Sequence, residues 1–348
     1  MNIIGQTFGK SIQLQYLNLS RNPKIGNDGI IQFCQSATYQ NMSSPFSNLQ
    51  YLDLSECQIG SIGLNELVNC LLIQPQSQPS QQSQPSPNKN LLQLKLLDNP
   101  ITNHGMTSIG RLISSSKLSA LILEKCQIDD DGIHLLTSSI QSKHHLTKLD
   151  LSNNSIGVLG AQTLAQSFQN NTLFWNSLQE LNLAGNPIGS QGTIDLCHSI
   201  ATASISTLTN LNLCQTNCGI NGAIAAIQIP QLITLRLFHN QLQSDGFFQI
   251  STILSQSNIV NLDLGGNSAK KDSVAALLRS LIPSDDTKTD TDTDIDTTTT
   301  TTTTKHHPTS LRVLEIGGNE MSTQAEQIIQ ELLIKLPLLD IARDRPKT

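Results

Sequence analysis

Aromatic side chains make up only 3% of this 348-residue chain and charged ones 14%, leaving Leu, Ile, Asn, Ser, Gln and Thr to dominate. The formal net charge of -6 is concentrated: residues 284–305 hold six Asp against Lys288 and Lys305, a net of -4, so about -2 belongs to the rest. A nearly neutral body has no broad attraction for phosphate backbones, which excludes nucleic acid as a partner. No apolar run reaches roughly 18 residues, so no segment reads as a membrane span. The first residues lack the basic head and apolar stretch of a signal peptide, and the chain is expected in the cytoplasm or nucleus. The 7 Cys are scattered without a paired framework. Cys214 and Cys218 lie four apart, but no second pair or His stands at ligand spacing, so neither a metal nor a disulfide is expected.

What the chain does have is one frame, met ten times: Leu, two variable residues, Leu, one variable, Leu, two variable, then usually Asn. Leu146-Thr-Lys-Leu149-Asp-Leu151-Ser-Asn-Asn154 is the cleanest copy. The frames begin at Leu14, Leu49, Leu91, Leu118, Leu146, Leu178, Leu208, Leu232, Ile259 and Leu311, and the short intervals set a period near 28. Leu alternating with polar residues is the pattern of a strand with one buried face. Behind each frame runs a helical period, as in Ile156, Leu164 and Phe168 with Gly160 at the helix start. A unit this short cannot bury its own apolar side, so neighbours must stack. One strand and one helix per unit, always in that order, makes the strands parallel and puts all helices on one side. Helices are about 10 Å wide against roughly 4.8 Å between strands, so the stack curves with the sheet inside. The expected fold is an α/β horseshoe solenoid, with a curved parallel β-sheet inside and α-helices outside. The Asn in the ninth place is expected to donate to and accept from the backbone of adjacent turns. Cys57 and Cys126, which replace it, are read as packing residues, and Thr216 holds the same place in the seventh unit. That unit is only 24 residues long, so its helix, around Gly222–Ile227, should be short or strained.

Repeated Leu-x-x-Leu-x-Leu-x-x-Asn/Cys with a helix in each unit resembles the leucine-rich repeat proteins, in particular the ribonuclease-inhibitor-like class, over residues 12–335. The chain is expected to form a single leucine-rich repeat domain, 1–348, of about ten repeats. Two insertions interrupt it: residues 74–90 are Gln, Ser and Pro, and residues 284–309 are Asp and Thr followed by a Thr run. Neither can bury enough surface to offset ordering, and both are expected to be disordered. Residues 1–13 are expected either to form an irregular cap or to continue from a longer array; Ala325–Lys335 reads as the last helix, and 338–341 as a partial strand before a basic tail.

No constellation for catalysis stands out, and no cofactor is expected. Asp129-Asp130-Asp131-Gly132 lies at a helix start, where carboxylates suit the dipole, and lacks the later Glu of a calcium loop. His144-His145 and His306-His307 read as solvated loop pairs, and Gly265-Gly266 and Gly317-Gly318 as turn residues. The informative positions are those between the Leu, which face the concave side. There Tyr16 and Tyr51 are neighbours in the stack, beside Arg21, Asp53 and Glu56; they suit an interface anchor or, alternatively, a cross-strand pair. Lys95, Lys148 and Asp150 follow along the same face, and Arg236, Phe238 and His239 form a second patch, with Phe238 expected to be exposed. These residues describe a non-catalytic module, a monomer, binding a protein partner on its concave face. Two alternatives stay open. Repeats of this length also resemble those of the Ran GTPase-activating proteins, which would give Arg21 a role beside a nucleotide. Such repeats also serve as the recognition arm of ubiquitin ligases or immune-type sensors.

Overall fold

The computed structural model describes residues 14–38, 48–72, 90–202, 205–283 and 310–343. The disordered insertions expected at 74–90 (Asn90 apart) and 284–309, the cap expected in residues 1–13, the tail beyond Arg343 and the His306-His307 pair lie outside them. Among the described residues eleven three-residue strands form one parallel sheet in chain order. They are β1 (Tyr16–Asn18), β2 (Tyr51–Asp53), β3 (Gln93–Lys95), β4 (Ala120–Ile122), β5 (Lys148–Asp150), β6 (Glu180–Asn182), β7 (Asn210–Asn212), β8 (Thr234–Arg236), β9 (Asn261–Asp263), β10 (Val313–Glu315) and β11 (Asp340–Ala342). Helices alternate with them: α1 (Gly26–Thr38), α2 (Ser61–Leu72), α3 (Met106–Ser115), α4 (Asp130–Ser139), α5 (Val158–Asn170), the short α6 (Thr172–Trp175), α7 (Gly189–Thr202), α8 (Gly219–Ile227), α9 (Gln243–Ile253), α10 (Lys271–Arg279) and α11 (Thr323–Lys335). The result is the open leucine-rich repeat horseshoe expected above. β11 adds an eleventh rung, slightly later in sequence than the partial strand expected at 338–341. The helix of the 24-residue unit, α8, has 9 residues against 13 in α5 and 14 in α7.

Register follows from burial. The central residue of each strand pairs with its equivalents in one row, Leu17, Leu52, Leu94, Leu121 and Leu149 through to Ile341. A slip by one residue would turn every buried Leu out to water. Each fully buried Leu is worth roughly 1.5–3 kcal/mol, and the row has no break.

The Asn ladder is an inter-repeat staple. Asn154 accepts from the backbone N–H of Cys126 (2.9 Å) and Ile128 (3.1 Å), both in the preceding unit, and donates to Leu123, Leu151 and Ser152 carbonyls. Asn99, Asn240, Asn267 and Asn319 also accept from the preceding unit. Cys57 and Cys126 do more than pack: their thiols donate to the carbonyls of Leu19 (3.0 Å) and Leu96 (3.2 Å), again one unit back. A thiol offers no comparable acceptor, and the turn before it closes differently. Ile101 N–H, which precedes the Cys126 unit, bonds to the carbonyl of Asn99 (2.7 Å); Ile188 N–H, which precedes Thr216, bonds to that of Asn186 (2.8 Å).

Gly160 marks the helix start because of a close approach there. Asp130 of the preceding unit accepts from Gly157 N–H at 2.6 Å. A Cβ on Gly160 would lie 2.5 Å from that carboxylate oxygen. Asn27 and Asn103 make the same demand of Gly63 and Gly132. Each of these helices is thus capped by a side chain of its neighbour, an N-cap supplied from outside the helix. Asp129 caps α4 itself, accepting from Asp131 N–H at 2.9 Å.

Candidate functional site

The inner wall is built from the residues flanking each central Leu, which the alternation of a strand turns away from the core. The wall is not uniformly free. At the strand ends Asn18, Asp53, Asp150, Asn182, Asn212 and Asp263 each accept from the N–H two residues on, at 2.9–3.1 Å. These are Asx turns, which bend the chain out of the sheet. The residue before the ladder position then takes a left-handed backbone in every unit, with φ from 53° at Asp98 and Lys125 to 77° at Gly318. Gly266 and Gly318 fit that turn as expected. The Asx role was missed, although the signal was present: each of these residues precedes Ser, Ala, Cys or Gly by two places. Lys95, Ile122, Arg236 and Glu315 hold the same strand-end position without an Asx side chain, so the turn does not dictate their identity.

The expected site residues fall into two groups joined by Lys148 and Asp150. In the N-terminal group Tyr16 and Tyr51 stack face to face, with centroids 4.1 Å apart and planes at 3°. Tyr16 remains 58% exposed. The Tyr51 hydroxyl donates to Asp53 Oδ2 at 3.1 Å, and Lys95 Nζ sits 5.4 Å from the Tyr51 centroid, a cation–π distance. Burial, the bond with Tyr16 and the Asp53 charge all push the Tyr51 hydroxyl pKa upward. Arg21 Nε pairs with Glu56 Oε1 at 3.2 Å across two units. A cavity of about 580 Å³ brings together Arg21, Asp53, Lys95, Lys148 and Asp150.

Lys148 Nζ bonds Glu180 Oε2 at 2.6 Å. Asp150 accepts from Ser152 N–H, Ser152 Oγ and Asn182 Nδ2. Both also line a second cavity of about 310 Å³, which runs along Asn182, Asn210 and Asn212 to Arg236. The Arg236 side chain is exposed, and among the described residues its guanidinium makes no hydrogen bond or ion pair. Phe238 is half-buried, not exposed as expected. Its ring lies against Gly265 and Gly266, where a Cβ at Gly266 would come within 2.5 Å of it, so the glycine pair clears its seat. His239 beside it is exposed, its ring 5.7 Å from that of Phe238.

His144 also departs from expectation. It is buried, not solvated, with its ring 5.0 Å from that of Trp175 at 83°. The four-residue helix α6 tucks Trp175 into the core against Phe168, and its Nε1 donates to Ser167 Oγ at 3.0 Å. His144 Nδ1 accepts from Leu146 N–H, which places the proton of the neutral ring on Nε2. Burial first, and then the neighbouring His145, hold its pKa down at about 4. Burial likewise pushes the Cys126 thiol up to about 12. Among the described residues no group of three or more His, Cys, Asp or Glu could hold a metal ion, and no helix is long and apolar enough to cross a membrane.

Comparison with known proteins agrees with this architecture. The family described as Leucine Rich repeat matches residues 10–34, 47–68, 142–165 and 176–197. The NACHT, LRR and PYD domains-containing protein 5 of Mus musculus is 29% identical over 276 residues, 70% of this chain and 22% of that protein. The ribonuclease inhibitor of Sus scrofa is 26% identical over 288 residues, 80% of this chain and 58% of that protein. The chain thus spans 22% and 58% of the length of these two relatives. Among solved structures, an internalin from Listeria monocytogenes covers 87% of this chain and 70% of its own, at 18% identity and a TM-score of 0.46.

Proposed function

We propose that this chain, a leucine-rich repeat protein of the ribonuclease-inhibitor-like class, holds a protein partner on its concave wall without chemistry of its own. Leucine-rich repeat proteins are in general interaction modules, and here the wall supports that use directly. Its charged groups are held in place before any partner arrives: Lys148 by Glu180, Asp150 by Ser152 and Asn182, Lys95 over Tyr51. A preorganised polar surface loses little side-chain freedom on binding. The single observation that carries the reading is this ordered wall, which leaves Arg236 exposed on β8 and the tyrosine stack half-open on β1 and β2. Buried aromatics and Arg are the residue types that dominate interface energetics.

The test is affinity capture from the source cell with the whole chain, Tyr51→Ala and Arg236→Glu, each with an unchanged melting profile. Loss of the same captured proteins in either variant is expected. If both variants retain every captured protein, the concave wall is not the binding surface. No specific observation favours the GTPase-activator alternative, since Arg21 is tied to Glu56.

A further inference from the structure

One strand of the inner wall has lost its polar side chains. β4 presents Ala120 and Ile122 where its neighbours present Gln93 and Lys95 on one side, and Lys148 and Asp150 on the other. Both are only half-buried, and with Leu97 they form the apolar part of the 580 Å³ cavity. The small Ala120 leaves room beside Ile122 that a larger side chain would fill. Neither a turn nor the core requires this. The Leu121 side chain between them is the one that enters the core, fully buried.

The charges around this floor are unequal. Asp150 has its oxygens committed to Ser152 and Asn182, and Asp53 has its own committed to Ser55 N–H and the Tyr51 hydroxyl. Lys148 is held by Glu180. Lys95 makes no ion pair among the described residues and rests only over the Tyr51 ring. An apolar depression whose lip carries an ammonium engaged in no ion pair among the described residues is complementary to an apolar side chain next to a carboxylate.

We propose that Ala120 and Ile122 form a socket for a partner polypeptide, taking a branched apolar or Met side chain while Lys95 receives an adjoining Asp or Glu carboxylate. This rests on the concave wall being the binding surface and names the chemistry that the wall reads. The anchor lies near the middle of the wall's N-terminal half, where surrounding side chains would exclude water from the contact.

Phage-displayed random heptapeptides panned against the whole chain supply the probe, and a synthetic copy of a selected peptide is then titrated. Selected peptides should pair Leu, Ile, Val or Met with a neighbouring Asp or Glu. Affinity should fall about tenfold or more for Ala120→Trp, which fills the socket, and for Lys95→Glu, which reverses its charge. A peptide with Gln in place of its Glu should lose the difference between wild type and Lys95→Glu, and Lys271→Glu, an exposed change on helix α10, should leave affinity unchanged. Lys95→Glu changes a half-buried wall residue outside the core and keeps the test valid should Ala120→Trp not fold. Failure to select such peptides, or equal binding by Ala120→Trp and Lys95→Glu, overturns the socket. Loss of binding in Arg236→Glu alone overturns the socket while leaving the wall as the binding surface.

Discussion

The Asn ladder can be tested at Asn154, whose side chain makes five hydrogen bonds, three of them to the preceding unit. Replacement by Leu keeps a similar volume and removes all five. The N–H groups of Cys126 and Ile128 would then be stranded in a buried site, at about 1–3 kcal/mol each. The carbonyls suffer less, because that of Leu151 also accepts from Asn186 Nδ2. Crediting about 1 kcal/mol for the added apolar burial leaves a net loss of about 1–5 kcal/mol for Asn154→Leu, centred on about 3 kcal/mol. Two other substitutions calibrate this. Asn154→Cys installs the residue used at position 126, whose thiol donates one unit back. Ile128 N–H could then turn to the carbonyl of Cys126, as Ile101 N–H does to Asn99, leaving one stranded donor and a cost of about 1–3 kcal/mol. Asn153→Leu removes one exposed bond to Glu124 and strains a backbone with φ of 54°, at about 1 kcal/mol. Denaturant midpoints give the order, and hydrogen exchange at the Cys126 and Ile128 amides locates the effect, since a repeat array need not unfold in one step. Equal losses for the two Leu variants, or unchanged exchange at those amides in Asn154→Leu, would refute the staple.

Two further outcomes follow from contacts of the same kind. Gly160→Ala places a Cβ 2.5 Å from the Asp130 oxygen that caps the next helix and should cost about 1–3 kcal/mol. Combined with Asp130→Ala, the total should fall short of the sum of the single losses by about 1 kcal/mol, and strict additivity in denaturation midpoints would reject the external cap. His144 carries a folded pKa of about 4 against an ordinary 6.5, so the folded state disfavours its protonation. The neutral ring's full contribution is present above about pH 6.5 and is lost as pH falls towards 4, by about 3 kcal/mol. Stability measured from pH 7 to 4 should therefore drop more steeply in the wild type than in His144→Phe; parallel curves would contradict the burial argument.

How much of this was legible beforehand depends on whether a feature repeats. The Leu row, the helix behind each strand and the Asn ladder recur with one period, so ten weak signals reinforce one another. The short α8 could be read from a 24-residue interval alone. Features that occur once were misread. His144 has no counterpart in the other units, and only the four-residue helix that brings Trp175 against it makes it a core residue. The sequence places Phe238 at an exposed strand end, because its seat is made by two glycines one unit later, whose space only the register reveals.

The wall itself shows why the candidate residues were the harder part. Seen as one column, Asn18, Asp53, Asp150, Asn182, Asn212 and Asp263 look like a polar surface awaiting a partner. Each instead spends an oxygen on its own turn, so its presence is explained before binding is considered. What function can add is visible only where that local demand is waived. Of the five strand-end residues outside the Asx set, Lys95 and Ile122 stand side by side on adjacent strands, and Arg236 stands apart beside Asn212. A turn could have been built at each of these places with Asp or Asn, as in six other units. The departure of Lys95 and Ile122 together, next to the smallest side chain of the neighbouring column at Ala120, is therefore the part of the wall that folding does not account for.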